Sequence, residues 1–319
     1  MPRQRLRPVP ALAVAVVTLA GAAVVARSAF GAGPSTFPPV ARVPPSAPAA
    51  AQKPSPPAAW VTTTHDISSG GLTRSYLVAE PSPAPTGPVP VVVVLHGSAV
   101  TPAFEEKRTG FVPVVGSAIV VYPTGYDESW NAGSCCGGAH GAGVDDEAFI
   151  TAVVAQVLAQ HPEAAPSKVD LVGYSNGGRL AWALACDDPR LFRAIAVYGA
   201  VLDKSCGNLG PISGMEIAGM SDPEVTIDAS EPPTVSFGFT EPTVTEQTEE
   251  LVASDGCRAP AVTTSAGEAV THTWSNCAAG RQVALTLYAG QDHTWPAGSG
   301  TTPSAEMLIW RFFTAIGAT

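Results

Sequence analysis

Runs of apolar residues alternate with amphipathic segments along most of the chain. Continuous β-branched or aliphatic runs predict buried strands at residues 91–97, 117–123, 169–173, 194–199, 215–220 and 283–290. Apolar residues recur with helical spacing at 145–161, 177–189 and 304–316. This alternation predicts an α/β domain whose mostly parallel central sheet is flanked by helices.

The N-terminal region lacks this alternation. Three arginines precede an apolar stretch from about Val9 to Ala26, which is typical of a signal peptide. The stretch is also long enough for a membrane anchor that is not cleaved. Residues 31–59 are rich in Pro, Ala and Ser and predict a disordered linker. The expected organisation is a signal peptide or anchor at 1–30, the linker at 31–59 and one folded domain at 60–319.

Charge and composition limit the partners. The chain has 17 Lys and Arg against 27 Asp and Glu, a net charge of −10. Nucleic acid is not expected as a partner, because phosphates demand a basic surface. Anionic lipid is disfavoured for the same reason, so membrane contact is expected only through the N-terminal segment. No nucleotide, flavin or metal motif is present, so we expect neither cofactor nor metal, and we expect a monomer.

Residues 171–178 read LVGYSNGG and place Ser175 between Gly173 and Gly177. A pattern of this kind arises by chance roughly 0.2 times in a chain of this glycine content. The neighbouring sequence must therefore decide whether the serine is a nucleophile or part of an ordinary turn. A strand is predicted before the serine and a helix after it, which is the context of a nucleophile elbow. The tight turn has no space for side chains beside the serine, and Gly173 and Gly177 have none. Ser175 is therefore the candidate nucleophile.

A nucleophilic serine needs a base, and the base needs an orienting acid. His293 lies directly after the last predicted strand and is the candidate base. Asp222 follows the predicted strand at 215–220 and is the candidate acid, with Asp228 as the alternative. The chain order Ser175, Asp222, His293 is the order expected of an α/β-hydrolase.

The same edge of the sheet should supply an oxyanion hole and a substrate pocket. One backbone donor is expected from Asn176, next to the nucleophile. The other is expected from the loop after residues 91–97, most simply Ser98, with the exact donor open by one residue. The aromatic candidates for substrate binding are Trp130, Tyr174 and Trp295. For Trp295, packing of the loop that carries it is the alternative.

Several motifs together resemble one family. The stretches VVVVLHG, SWNAGSCCGGAHGAGVDDEAFI, VDLVGYSNGGRLAWALAC, GMSDPEV and GQDHTWP are similar to those of the secreted poly(3-hydroxybutyrate) depolymerase and feruloyl esterase family of α/β-hydrolases. They span about residues 90–297. The resemblance implies an α/β-hydrolase catalytic domain at 60–319, with the family's nucleophile, acid and base on the three residues named above. Ser98–Ala99 departs from the family's usual sequence after LHG, which leaves the acyl preference open.

The six cysteines indicate disulfides, since their number is even and export is expected. Six cysteines allow 15 pairings, and the sequence does not choose among them. Proximity and the family resemblance favour the pairs Cys186–Cys206 and Cys257–Cys277. For Cys135 and Cys136, a vicinal disulfide, two reduced thiols and a zinc site with His140 remain as alternatives.

The predicted function is that of an exported serine carboxylesterase that works through an acyl-serine intermediate. The substrates expected are feruloyl or acetyl esters of plant cell-wall polysaccharide. One alternative is a polyhydroxyalkanoate depolymerase or oligomer hydrolase. An alternative of another class is a non-catalytic cell-surface binding module, against which the complete Ser–Asp–His set argues. The expected location is extracellular, either secreted or anchored in the membrane and facing outside.

Overall fold

The computed structural model describes residues 59–316 except residues 208, 237 and 259. The predicted leader at 1–30 and all but the last residue of the predicted linker lie outside this part. Within the described residues, no helix is long and apolar enough to cross a membrane.

Twelve strands are present in the described part. They are β1 (Ala59–Ser69), β2 (Leu72–Ser82), β3 (Val89–Leu95), β4 (Ile119–Pro123), β5 (Ala164–Tyr174), β6 (Ala194–Tyr198), β7 (Ser213–Gly219), β8 (Val235–Ser236), β9 (Phe239–Thr240), β10 (Val262–Ala266), β11 (Ala269–Trp274) and β12 (Val283–Tyr288). Ten of them form one sheet in the order β1-β2-β4-β3-β5-β6-β7-β12-β11-β10, and β8 and β9 form a separate hairpin.

The centre of the sheet is parallel, from β4 through β3, β5, β6 and β7 to β12. These are the six predicted strands, so the mostly parallel sheet is confirmed. Antiparallel pairs extend both edges, β1 with β2 and β10 with β11. The edge strands were not predicted because much of their length is exposed and polar, which leaves no continuous apolar run.

The helices cover the two faces of the sheet. They are α1 (Pro102–Thr109), α2 (Gly137–Ala142), α3 (Asp146–Gln160), α4 (Asn176–Asp187), α5 (Val244–Ser254) and α6 (Ala305–Ala315). The three predicted helices correspond to α3, α4 and α6. Helix α5 was not predicted, although Thr243 and Glu246 form a capping box at its start, a signal that is visible in the sequence.

The core lies between the sheet and these helices. In β3, Val92 and Val94 pack in one apolar cluster with Phe312 and Phe313 of α6. Successive residues of a strand point to opposite faces, and the residues from Val91 to Leu95 are all buried. Both faces of the central strands are therefore covered, which holds their carboxyl ends in fixed positions relative to one another.

The structure contains three disulfides. They join Cys186 to Cys206, Cys257 to Cys277 and the adjacent Cys135 to Cys136. The first two are the favoured pairs, and the third is one of the alternatives left open for the adjacent cysteines. This disulfide leaves neither cysteine a thiol to bind zinc, and His140 Nδ1 lies 3.1 Å from the side-chain oxygen of Asn131.

Candidate active site

Ser175 occupies the turn between β5 and α4. Its backbone angles are φ 52° and ψ −123°, in a region that is strained for a serine. A Cβ on Gly173 would lie 2.5 Å from the Gly177 carbonyl oxygen, and one on Gly177 would lie 2.5 Å from the His96 carbonyl oxygen. The turn therefore needs glycine at both positions, as the sequence analysis predicted. It also places Ser175 at the positive end of the α4 dipole.

The three candidate catalytic side chains lie in one hydrogen-bonded row. His293 Nε2 is 2.8 Å from Ser175 Oγ. On the other side of the ring, His293 Nδ1 is 2.8 Å and 3.0 Å from the two carboxylate oxygens of Asp222. A carboxylate accepts, so Nδ1 carries the proton and Nε2 is left to accept the proton of the serine. The geometry is that of a base oriented by an acid.

The loop with His293 is held by two tyrosines from neighbouring strands. The Tyr198 hydroxyl donates to the Asp292 carbonyl oxygen at 2.5 Å, and the Tyr174 hydroxyl donates to that of His293. The Tyr174 ring also lies 5.4 Å from the imidazole, centroid to centroid. His293, the candidate base, is therefore positioned by its main chain as well as by Asp222.

The two candidate acids have different surroundings. The Asp222 side chain is fully buried, and its Oδ1 accepts the Glu224 N–H at 2.8 Å. Asp228 is exposed and accepts from the Ser230 side chain and N–H, which lowers its pKa. The structure thus brings Asp222 to His293 and leaves Asp228 in a local turn.

The predicted oxyanion donors belong to the two segments next to Ser175, the candidate nucleophile. Asn176 is the first residue of α4, and Ser98 lies exposed in the loop after β3. The Asn176 side chain is already bonded to Trp130, accepting its N–H at 2.7 Å and donating to its carbonyl at 2.9 Å. The side chain is thus held against Trp130, and the backbone N–H of Asn176 remains the expected donor to a bound substrate.

The aromatic candidates lie deeper than predicted. Trp130 is completely buried, and its Nε1 donates to the His96 carbonyl at 2.8 Å. The prediction that Trp130 contacts substrate is corrected, because a fully buried ring presents no surface to a ligand. Trp295 and Tyr174 are also largely buried and pack edge to face at 6.2 Å. For Trp295 this arrangement corresponds to the alternative in which it packs the loop that carries it. Its Nε1 donates to Glu306 at 3.2 Å.

A charged network behind the site was not predicted. Arg179 of α4 is buried against the carboxylates of Asp203 and Glu241. The Ser134 hydroxyl donates to Asp203 at 2.5 Å, which ties the loop of the vicinal disulfide to the helix behind Ser175. No short motif joins these residues, which lie far apart in the chain, so the sequence carries no signal for the network.

One group of possible metal ligands exists among the described residues. It comprises Glu80, His161 and Glu163. His161 Nδ1 is 3.2 Å from Glu80 and 3.4 Å from Glu163, which are ion-pair distances. The group lies at the amino ends of the parallel strands, whereas Ser175 lies at their carboxyl ends. It is therefore separate from the catalytic row.

Comparison with known proteins agrees with this geometry. Residues 71–295 match the family described as "Putative esterase". The chain is 30% identical to "Probable feruloyl esterase C" of Aspergillus terreus over 226 residues, covering 69% of this chain and 72% of that protein. It is 28% identical to "Feruloyl esterase C" of Emericella nidulans, covering 70% and 72%.

Solved structures share the fold. An acetyl xylan esterase from Aspergillus awamori superimposes with a TM-score of 0.55 at 15% identity, covering 79% of this chain and 99% of that one. A feruloyl esterase module from Clostridium thermocellum, complexed with sinapinate, gives 0.53 at 12% identity, covering 83% and 90%. At these identities the likeness concerns the fold alone, and it confirms the predicted α/β-hydrolase class.

Proposed function

We propose a substrate class and a mechanism for this chain, which belongs to the Esterase family and is a hydrolase of ester bonds. The chain is an exported serine carboxylesterase that removes feruloyl or acetyl groups from plant cell-wall polysaccharide. The observation that carries the proposal is the row in which His293 links Ser175 Oγ, at 2.8 Å, to buried Asp222. The names of the similar proteins support the substrate class.

Acylation begins with the serine hydroxyl. His293 Nε2 takes the proton of Ser175 Oγ while the oxygen attacks the ester carbonyl. The carbonyl oxygen becomes an oxyanion, which the backbone N–H groups of Ser98 and Asn176 stabilise. The imidazolium then passes its proton to the departing alcohol, here a sugar hydroxyl, and the acyl group remains on Ser175.

Deacylation repeats these steps with water. His293 takes a proton from the water that attacks the acyl-serine, and returns it to Ser175 Oγ as the acid leaves. Asp222 accepts from Nδ1–H throughout. It holds the productive tautomer and stabilises the imidazolium that forms in each half-reaction.

Export is supported by the cysteines. Disulfides persist in oxidising compartments and are rare in the cytosol. All cysteines of the described part are paired, two pairs of them closing loops with a sequence separation of 20. The N-terminal apolar segment, outside the described residues, supplies either a cleaved signal or an anchor on the outer side of the membrane.

The experiment is a substrate panel on the full chain and two serine variants. We expect Ser175→Ala to lower kcat by at least about 10⁴-fold, because the nucleophile is lost. The control, Ser265→Ala on exposed β10, should keep wild-type kcat. The panel contains methyl ferulate, acetylated xylan, p-nitrophenyl acetate and 3-hydroxybutyrate oligomers.

Each outcome of this panel selects a function. Serine-dependent turnover that is fastest on methyl ferulate or acetylated xylan supports the proposal. Fastest turnover on the 3-hydroxybutyrate oligomers would favour the polyester alternative. Activity that survives in Ser175→Ala would contradict the mechanism, and a folded protein inactive on the whole panel would contradict the substrate class. The non-catalytic binding module considered from the sequence does not fit a member of this family.

A further inference from the structure

His96 follows β3 and is buried beside the nucleophile's turn, with 1% of its surface exposed. The Gly125 N–H donates to its Nε2 at 2.9 Å. Because a backbone N–H only donates, Nε2 carries the lone pair and the proton of the neutral ring sits on Nδ1. Nδ1 lies 2.7 Å from the Gly97 carbonyl oxygen, which only accepts. The two contacts therefore require the same single tautomer.

This tautomer is also protected from protonation. Burial is the main cause that lowers the pKa of His96 to about 4, and the positive charges of Arg108 and Arg74 act in the same direction. The ring therefore stays neutral from about pH 5 upward. Its Nδ1–H remains a donor to Gly97 over that range.

The hydrogen bond to Gly97 has a consequence for the next N–H. The peptide between Gly97 and Ser98 is trans, since the described residues have cis bonds only at 82–83 and 135–136. In a planar trans peptide the carbonyl and the following N–H point in opposite directions. Holding the Gly97 oxygen against the His96 ring thus turns the Ser98 N–H away from that ring.

The same peptide lies directly beside the nucleophile. A Cβ on Gly97 would be 2.8 Å from the Tyr174 ring and 3.4 Å from Ser175 Cβ. Glycine is needed for this close approach, but it also leaves the backbone free to rotate. The flanking bonds hold the neighbours of the peptide: Trp130 Nε1 donates to the His96 carbonyl, and the Ala99 N–H donates to Glu128. The imidazole holds the peptide itself.

We propose that His96 is a positioning residue, which aims the Ser98 N–H at the oxyanion by holding the Gly97 carbonyl through Nδ1–H. The inference rests on the proposed function, since the direction of this N–H matters only when an oxyanion forms at Ser175. It identifies Ser98 as the second donor of the oxyanion hole, which the sequence left open by one residue. His96 itself touches no reacting atom.

Two variants separate the two hydrogen bonds of the ring. The side-chain nitrogen of Asn occupies about the place of Nδ1, so His96→Asn keeps a donor to Gly97 and loses the contact to Gly125. His96→Gln reaches the place of Nε2, where its oxygen accepts from Gly125, but it has no donor to Gly97. A role in core packing alone predicts that His96→Asn, which leaves the larger cavity, loses at least as much as His96→Gln.

We expect His96→Gln to lower kcat on p-nitrophenyl acetate by about 10- to 100-fold with KM within about twofold, because a misdirected donor costs only transition-state binding. His96→Asn should retain at least about ten times the kcat of His96→Gln. Affinity for phenylboronic acid, which forms a tetrahedral adduct on the serine, should fall in His96→Gln in parallel with kcat. The control is His65→Gln on β1, which should behave as the wild type.

The proposal is overturned if His96→Gln keeps kcat within about twofold of the wild type, or if His96→Asn loses more than His96→Gln. Nitrogen NMR of the wild-type chain with labelled histidine tests the tautomer even if His96→Gln does not fold. We expect a His96 ring that is protonated on Nδ1 and does not titrate from about pH 5.5 to 9. A proton on Nε2 would contradict the inference. Ser175→Ala in the same assay tests the proposed function separately.

Discussion

Two histidines of this protein lie beside carboxylates, at opposite ends of the same sheet. At the carboxyl ends of the strands, His293 Nδ1 is 2.8 Å and 3.0 Å from the two oxygens of Asp222. At the amino ends, His161 Nδ1 is 3.2 Å from Glu80 and 3.4 Å from Glu163. The two pairs are alike in chemistry and similar in distance, but only the first faces a serine.

The difference lies in what surrounds each pair. Asp222 is fully buried and meets the ring with both oxygens, whereas Glu80 has 27% of its side chain exposed and shares the ring with Glu163. The far nitrogen of His293 points to Ser175 on its strained turn. A histidine beside a carboxylate therefore does not by itself indicate catalysis. The contact with Ser175 on its turn makes His293 the candidate catalytic base.

The largest expected effect comes from the acid of the first pair. Asp222→Asn should lower kcat by about 10⁴-fold, because the amide donates where the carboxylate accepted and so selects the wrong tautomer of His293. The matched change in the second pair, Glu163→Gln, should leave kcat unchanged. Steady-state kinetics on methyl ferulate measures both, and comparable losses in the two variants would contradict a special role of Asp222.

The carboxyl group of Glu216 provides a third case for the comparison, because it is buried against an amide and not against a histidine. Glu216 of β7 is fully buried, and its Oε2 accepts from the Gln247 side-chain amide at 3.1 Å. Burial raises the pKa of Glu216 well above its usual 4.5. Its protonated form therefore stabilises the fold below about pH 4.5, and this contribution is lost as the pH rises.

Glu216→Gln mimics the protonated acid and should remove this dependence. As the pH rises above about 4.5, the wild type should lose stability relative to the variant, because the unfolded chain ionises Glu216 more readily than the folded protein does. Urea denaturation of both proteins across this range gives the comparison. A constant difference in unfolding free energy at every pH would show that Glu216 does not titrate abnormally in the folded protein.

The smallest effect is expected from the second histidine. His161→Gln removes a partly exposed ion pair and should lower the free energy of unfolding by no more than about 1 kcal/mol, with kcat unchanged. Urea denaturation of both proteins at pH 6 is the measurement. A loss above about 3 kcal/mol would mean that Glu80, His161 and Glu163 act as a tightly coupled buried network.

The sequence was most informative where burial is continuous. Val91–Leu95 are apolar at every position, and residues 169–174 before Ser175 are all buried, as central parallel strands require. Strand, serine and helix then follow one another within a few residues. Because the elbow is a local structure, its glycines and its nucleophile were visible without any knowledge of distant contacts.

Residues that act through long-range packing were not visible in this way. Trp130 was taken for a substrate contact because of its type, yet its ring is closed in between His96 and Phe149. The edge strands were missed because pairing with a neighbour, rather than an apolar run, makes them strands. His96 was noted in the motif LHG, but its tautomer depends on Gly125, 29 residues away.

The sequence by itself determined the order of the six parallel strands and of three helices, the glycine-flanked serine and the candidate base, and it narrowed the acid to Asp222 or Asp228, because these follow from local pattern and from the edge at which parallel strands end. The tertiary structure alone decided that Asp222 rather than Asp228 meets His293 and how the cysteines pair. It also decided which ring nitrogen of His96 carries a proton. The physical reason is that hydrogen bonds and buried charges depend on distances between elements, and hydrophobic periodicity does not encode those distances.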